Sequence, residues 1–369
     1  METTIQIIDV RNSGDFKTIS FSGYKKTEVK KQLLINIFNG KVEPACYWCA
    51  ELVCAGHFTD IWDIFLLYLG KHIHIGNPKI PIYLEKRLSV FRNIMQQGLF
   101  YDELQLRNNQ TIRDMFAEII CVLAGSPKKN GFEPIKINRK EEFDITQIQD
   151  KLKAPNVQFA EPVFQPKDPK ELWIAINEFG YHLSCLNNHV PDLMSACYWI
   201  EWVIEFEQIC KLKKQKCICE RRPQIQVEPK FQKEIIWLIW DILMYESKKR
   251  ENQFIEKTIE AILRLFCLKF TPSSPKKRRY LIYYAVAILT ESWNSSLDMI
   301  SDKVLLTTVV NKINTVYSQI KKNEVTPNLE YLFSFTSELS KAQKVEKSIM
   351  QMEMIGNMDP VLAGSMNEL

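Results

Sequence analysis

The densest group of residues able to do chemistry is ACYWCAELVCAGHF, residues 45–58, which places Cys46, Cys49, Cys54 and His57 within twelve positions. Three thiols and an imidazole at C-x2-C-x4-C-x2-H spacing can ligate zinc, which takes Cys and His in tetrahedral sets. On a helix the same four side chains fall within an arc of about 140°, one face. A continuous helix sets Cys46 and His57 about 16 Å apart along its axis, whereas zinc needs every ligand within about 2.0–2.3 Å of one point. A buried helix face is therefore the expected reading, with Cys54 and His57 alone able to supply half a site.

Three weaker constellations follow. Cys210, Cys217 and Cys219 stand at C-x6-C-x-C spacing, and His182 and His189 could join them in the fold. Metal ligation and incidental thiols in an exposed loop are the alternatives, the loop being favoured. His72 and His74 alternate in HIHIG as on a strand or extended loop, with no third ligand, so packing through Ile73 and Ile75 is expected. Asp63 and Asp241, one in each copy of IWDI, are either a carboxylate pair or partners for basic residues at helix junctions, and the second is expected. No P-loop, G-x-G-x-x-G, nucleophile elbow or H-E-x-x-H is present, so no catalytic residue, metal or cofactor is assigned.

Two basic segments carry the strongest functional signal. Residues 211–222 hold Lys211, Lys213, Lys214, Lys216, Arg221 and Arg222 against one acid, and PKKRRY supplies Lys276, Lys277, Arg278 and Arg279 in a row. Short Lys/Arg runs contact phosphates, mark nuclear import, or solvate a loop that meets a partner protein. Phosphate contact gives affinity without reading sequence.

The elements that position these residues are mainly α-helical. Residues 1–24 lean towards β, with TIQIIDV and FKTISFS separated by the turn RNSGD, and a short hairpin is expected. Residues 25–150 show helical periodicity, with Gly40 a stop, Pro44 in a first turn, Thr59 a cap and Gly70 a second stop. Residues 151–170 include PNVQFAEPVFQPKDP, whose four prolines predict an extended linker. Residues 171–345 are again helical, and 346–369 form a methionine-rich tail expected to be flexible or to dock.

An internal echo links the helical halves. ACYW recurs at 45 and 196, IWDI at 61 and 239, and SPKK at 126 and 274, in the same order with offsets of 151, 178 and 148 residues. The expectation is a diverged duplication giving two similar helical lobes across the proline-rich linker. Ungapped, the second ACYW keeps Cys46 as Cys197 but replaces Cys49, Cys54 and His57 by Ile200, Glu205 and Gln208, which again favours packing over zinc.

Bulk composition agrees with a globular chain. Of 369 residues 46% are hydrophobic and 11% aromatic, and the net charge is +4, so polyanion binding would have to come from local patches. No signal peptide is expected from the N-terminus, and no apolar run approaches the ~20 residues of a membrane span. Ten cysteines without a secretory signal point to free thiols in a reducing compartment.

Residues 43–88 resemble a helical module of uncharacterised proteins of nucleocytoplasmic large DNA viruses. The resemblance rests on the EPACYW start, the CAGHF turn, the W-x-I helix and the GNPK-x-P-x-Y loop, and covers about one eighth of the chain. It implies a non-enzymatic virion protein, most concretely a minor capsid protein that partners other capsid proteins and assembles in the host cell cytoplasm. The alternative is a nucleic-acid-binding protein of viral replication or packaging that uses the ten basic residues.

Overall fold

The structure, a computed structural model, describes residues 5–97, 103–139, 141–143, 148–185 and 189–326. Among these it is mainly α, with thirteen α-helices and no β-strand. They are α1 (Lys26–Phe38), α2 (Val42–Cys54), α3 (Phe58–Tyr68), α4 (Ile80–Gln97), α5 (Gln110–Gly125), α6 (Trp173–Leu183) and α7 (Leu193–Leu212). There follow α8 (Ile236–Lys249), α9 (Gln253–Phe266), the one-turn α10 (Ser274–Lys277), α11 (Arg279–Thr290), α12 (Lys303–Asn311) and α13 (Ile313–Lys321). Local chemistry sets several starts. Asn109, Asp192, Asn252 and Asp302 each accept backbone N–H groups at the N-termini of α5, α7, α9 and α12.

Helix α1 buries Val29, Leu33 and Ile37, four residues apart and so on one face. Helix α2 ends at Cys54, and Gly56 at φ 76° turns the chain, so His57 stands outside that helix as the N-cap of α3. Thr59, the expected cap, lies inside α3. Nor does Gly70 end a helix. It sits in a π-turn, Leu69–Ile73, that continues α3 and leads into a 3-10 turn at His74–Gly76.

The expected N-terminal hairpin is not formed among the described residues, where the only β feature is an isolated bridge between Ile19 and Lys25. Side chains occupy the places a second strand would fill. Asn108 accepts from the Ile7 N–H at 2.8 Å and donates to its carbonyl at 3.0 Å, while Arg113 donates to the Ile5 carbonyl at 2.8 Å. The turn at the bridge is held by Glu51, a fully buried carboxylate of α2 that accepts from the Ser20 hydroxyl (2.7 Å) and the Ser22 N–H (3.0 Å). Satisfied this way, the segment gains nothing from strand pairing.

Of the described residues, those in 5–7 and 12–323 belong to one compact unit, and 8–11 with 324–326 to another. Residues 25–150 of the first expected lobe and 171–323 of the second thus fall in the same unit as residues 151–170. Residues 151–170 do run without α-helix, as the prolines require. One core of buried side chains extends from Ile7 to Ile320. Residues after 326, including the final expected helix and the methionine-rich tail, lie outside the described residues.

Inside the first unit a packing scheme recurs. Helix α1 packs on α2 and α3, α2 on α3, and α5 on α1, α2 and α4. In the same order α6 packs on α7 and α8, α7 on α8, and α11 on α6, α7 and α9, while the second set adds contacts of α8 with α9 and α11 that α3 does not make with α4 and α5 to the same extent. ACYW occupies α2 and α7, and IWDI occupies α3 and α8. Trp62 meets Phe91 of α4 at 5.9 Å between ring centroids, and Trp240 meets Phe266 of α9 at 5.2 Å. The SPKK copies do not correspond, for the first is the C-cap and loop that follow α5 and the second is α10, ahead of α11.

The two sets meet through α4 on α9 and through the π-turn on α11, while α12 and α13 cover α5 and α2. At the π-turn the approach is backbone to backbone. A Cβ on Gly70 would lie 2.8 Å from the Tyr280 carbonyl carbon and 3.0 Å from the Leu281 nitrogen. Gly70→Ala should therefore lower unfolding free energy by about 1–3 kcal/mol in urea titrations. Gly131→Ala, whose Cβ would meet nothing nearer than 3.7 Å, serves as control, with an expected change within about 0.5 kcal/mol.

Candidate interaction site

Helix α7 carries the first basic segment off its C-terminus. Its last turn donates from Lys213 N–H to Ile209 and from Lys214 N–H to Lys211, and Lys214 reverses the chain at φ 55°. Gln215 N–H then returns to the Cys210 carbonyl at 2.9 Å. Lys213, Lys214 and Lys216 are left exposed, while Lys211 pairs with Glu207 one turn back at 2.8 Å. Cys210 and Cys219 are buried and Cys217 half-buried, so the segment is anchored on both sides.

Arg222 does the opposite of what a phosphate contact requires. It is 0% exposed, donates to both Asp168 oxygens at 2.6 Å and to Asp241 at 2.9 Å, and also reaches the carbonyls of Glu220 and Val163. Burial opposes its charge, yet the hydrogen bonds it donates to Asp168 and the charge of Asp241 hold its pKa above the usual value. Burial raises the Asp241 carboxyl, with Arg222 pulling it back down. Arg221 is exposed and bonds Gln232 through Nε at 2.6 Å.

The second segment divides likewise. Lys276 and Lys277 are exposed on α10. Arg278 bonds Asp63 at 2.8 Å and the carbonyls of Phe266 and Leu268, and Arg279 bonds Glu201 at 2.8 Å. Arg222, Arg278 and Arg279 are therefore structural, a correction to their reading as nucleic-acid or partner contacts. The planar guanidinium fork suits buried carboxylates, whereas an ammonium on a flexible stem is easily left in water. Each IWDI acid takes one of these arginines, Asp63 with Arg278 and Asp241 with Arg222, in line with pairing to basic residues.

The thiols and histidines build no metal centre among the described residues, where no three ligating side chains are grouped to hold an ion. Cys46, Cys49 and Cys54 are buried, and burial raises the Cys46 and Cys49 thiols. His57 bonds the Ile19 carbonyl at 2.9 Å. Burial, then the neighbouring Cys210, raises the Cys217 thiol, and burial takes Cys219 to about 12. His182 lies on α6 beside His189, with ring centroids 6.3 Å apart. His72 bonds Asn130 at 3.0 Å, and buried His74 stacks on Tyr284 at 5.2 Å.

A cleft of about 480 Å³ opens beside the second IWDI, lined among others by Trp240, Asp241, Tyr245, Lys248, Arg264 and Cys267. Both signs of charge line it, and the Cys267 thiol, raised to about 12 by burial, is no nucleophile at neutral pH. What the sequence reading passed over is that Leu212 and Ile218 are 70% and 48% exposed among the lysines. The signal was available in KLKKQKCI, where aliphatic residues interleave with lysines beyond the last turn of a helix.

Two outcomes test these assignments. Arg222→Met leaves Asp168 buried without its partner and should cost about 3–5 kcal/mol in denaturant unfolding, whereas Lys213→Gln should change stability by less than about 0.5 kcal/mol. The pH dependence has contributions of both signs. Burial lowers His74 and His182 to about 4, so between there and 6.5 the unfolded chain binds more protons, and stability rises with pH across that window and is lost as the pH falls through it. Replacing both histidines by Asn should flatten that acid limb. Glu234, raised to about 7 by burial and then by Glu207, contributes stability that is lost as pH rises through 7, and Glu234→Gln should remove that loss. Unfolding free energies measured from pH 4 to 8 read both. No protein-family model, curated protein or solved structure matches this chain.

Proposed function

We propose that the protein is a non-enzymatic structural subunit of a virion, a minor capsid protein that joins major capsid subunits of a large DNA virus, and that its helical body arose by internal duplication. The recurrent packing of α1–α5 and of α6–α9 with α11 supports the duplication, since ACYW and IWDI fall on corresponding helices in both sets. Support for a structural role comes from the resemblance of residues 43–88 and from the chemistry of the body. Its buried thiols are raised, its buried histidines lowered, and its arginines engaged within the fold.

The observation that carries the assembly role is the pairing of residues 9 and 10 with residue 325 in the second unit. Val10 N–H donates to the Val325 carbonyl at 3.2 Å, and Val325 N–H to Asp9 at 2.8 Å. Ile8, Val10 and Val325 are exposed there. Non-helical backbone presenting aliphatic side chains is the material of strand addition between subunits. Nucleic-acid binding is the second reading, favoured by the exposure of Lys213, Lys214, Lys216, Lys276 and Lys277.

Quantitative mass spectrometry of purified particles from the source virus tests the primary reading. The expected result is a fixed copy number relative to the major capsid protein, reduced severalfold by Ile8→Lys with Val10→Lys. Absence from intact particles contradicts it.

A further inference from the structure

Beyond this reading, we propose that residues 211–218 dock on an anionic lipid surface, with the lysines meeting headgroups and Leu212 and Ile218 entering the boundary with the acyl chains. Two features of the segment stand side by side. Lys213, Lys214 and Lys216 are exposed and have no acidic partner among the described residues, and Leu212 and Ile218 are 70% and 48% exposed between and beside them. Residues 207–222 hold six basic side chains and two acids. Of the acids, Glu207 is taken by Lys211, and Glu220 accepts the Lys167 N–H.

The segment is fixed in shape, so little ordering is needed on contact. Gln215 N–H bonds the Cys210 carbonyl at 2.9 Å, Cys219 N–H bonds the Lys233 carbonyl at 2.9 Å, and Cys219 Sγ reaches the Glu234 carbonyl at 3.3 Å. Lys214 at φ 55° makes the reversal between these ties. A held reversal presenting lysines and two aliphatic side chains is a protrusion able to enter an interface.

The alternative partner is nucleic acid. Phosphates satisfy the lysines equally well, but they leave Leu212 and Ile218 in water, and bases are gripped by aromatic side chains, of which residues 211–218 have none. A headgroup layer over acyl chains uses both halves of the pattern, since anionic lipid attracts each lysine and the boundary takes up apolar surface. Charge complementarity is shared by the two partners, and the aliphatic pair separates them.

The test is co-sedimentation of the full chain with phosphatidylcholine vesicles, with and without phosphatidylserine, alongside titration with duplex DNA at the same salt. Binding should rise at least about tenfold when about 30% of the lipid is anionic, and Lys213→Gln/Lys214→Gln/Lys216→Gln should lower it about a hundredfold. Leu212→Ser/Ile218→Ser should lower vesicle binding about tenfold and leave DNA binding unchanged. All the substituted residues are exposed, and an unchanged melting curve confirms that each variant folds. No preference for anionic vesicles overturns the proposal. So does vesicle binding indifferent to the aliphatic pair, and in that case lysine-dependent DNA binding assigns the segment to nucleic acid.

Discussion

A carboxylate placed on a helix between tryptophan and isoleucine is met by an arginine twice in this chain, once at the largely buried Asp241 and once at the half-exposed Asp63. Asp241 of α8 is answered by Arg222, which also grips Asp168, and Asp63 of α3 is answered by Arg278. These pairs bring the two basic segments onto the helical body and fix what each can do. The arginines are drawn in, because a guanidinium can satisfy a carboxylate and backbone carbonyls together. The neighbouring lysines are left outside, where they meet solvent or a partner. One Arg–Asp junction spans the sets, since Arg278 comes from the stretch leading into α11 and Asp63 from α3.

The same economy of contacts explains why the two helical sets share one core. The fourth helix of one set lies on the fourth helix of the other, α4 on α9. Gly70 lets the π-turn approach the start of α11 at a spacing no side chain would permit. Trp62 and Trp240, fully buried near corresponding phenylalanines, show that the IWDI helices serve the same packing purpose in both sets. Residues 151–170 run without α-helix between the sets, and prolines break helices without preventing the helices on either side from sharing a core.

Helix content and register were legible in the sequence wherever periodicity was strong. Gly40 after α1 and Pro44 in the first turn of α2 are local signals with local consequences, whereas Thr59 and Gly70 lie inside helical turns that packing extends past them. The N-terminal arm was not legible, because β propensity states what a segment would do with a strand partner, and here Asn108, Arg113 and Glu51 take that partner's place from distant positions. The basic segments were legible as charge but not as role. Lys213 and Arg222 look alike in a charge count, and only the fold puts Asp168 and Asp241 beside one and water beside the other. The zinc-like spacing was resolved by geometry, which Gly56 reinforces by taking His57 off the helix of the thiols.

The central claim is that arginines of the basic segments hold the fold while the lysines are free for partners. A double-mutant cycle on Asp241→Asn and Arg222→Gln tests it most directly, with unfolding free energy as the measured quantity. The account predicts a coupling energy of about 1–3 kcal/mol between the two sites. Additivity to within about 0.5 kcal/mol would contradict it.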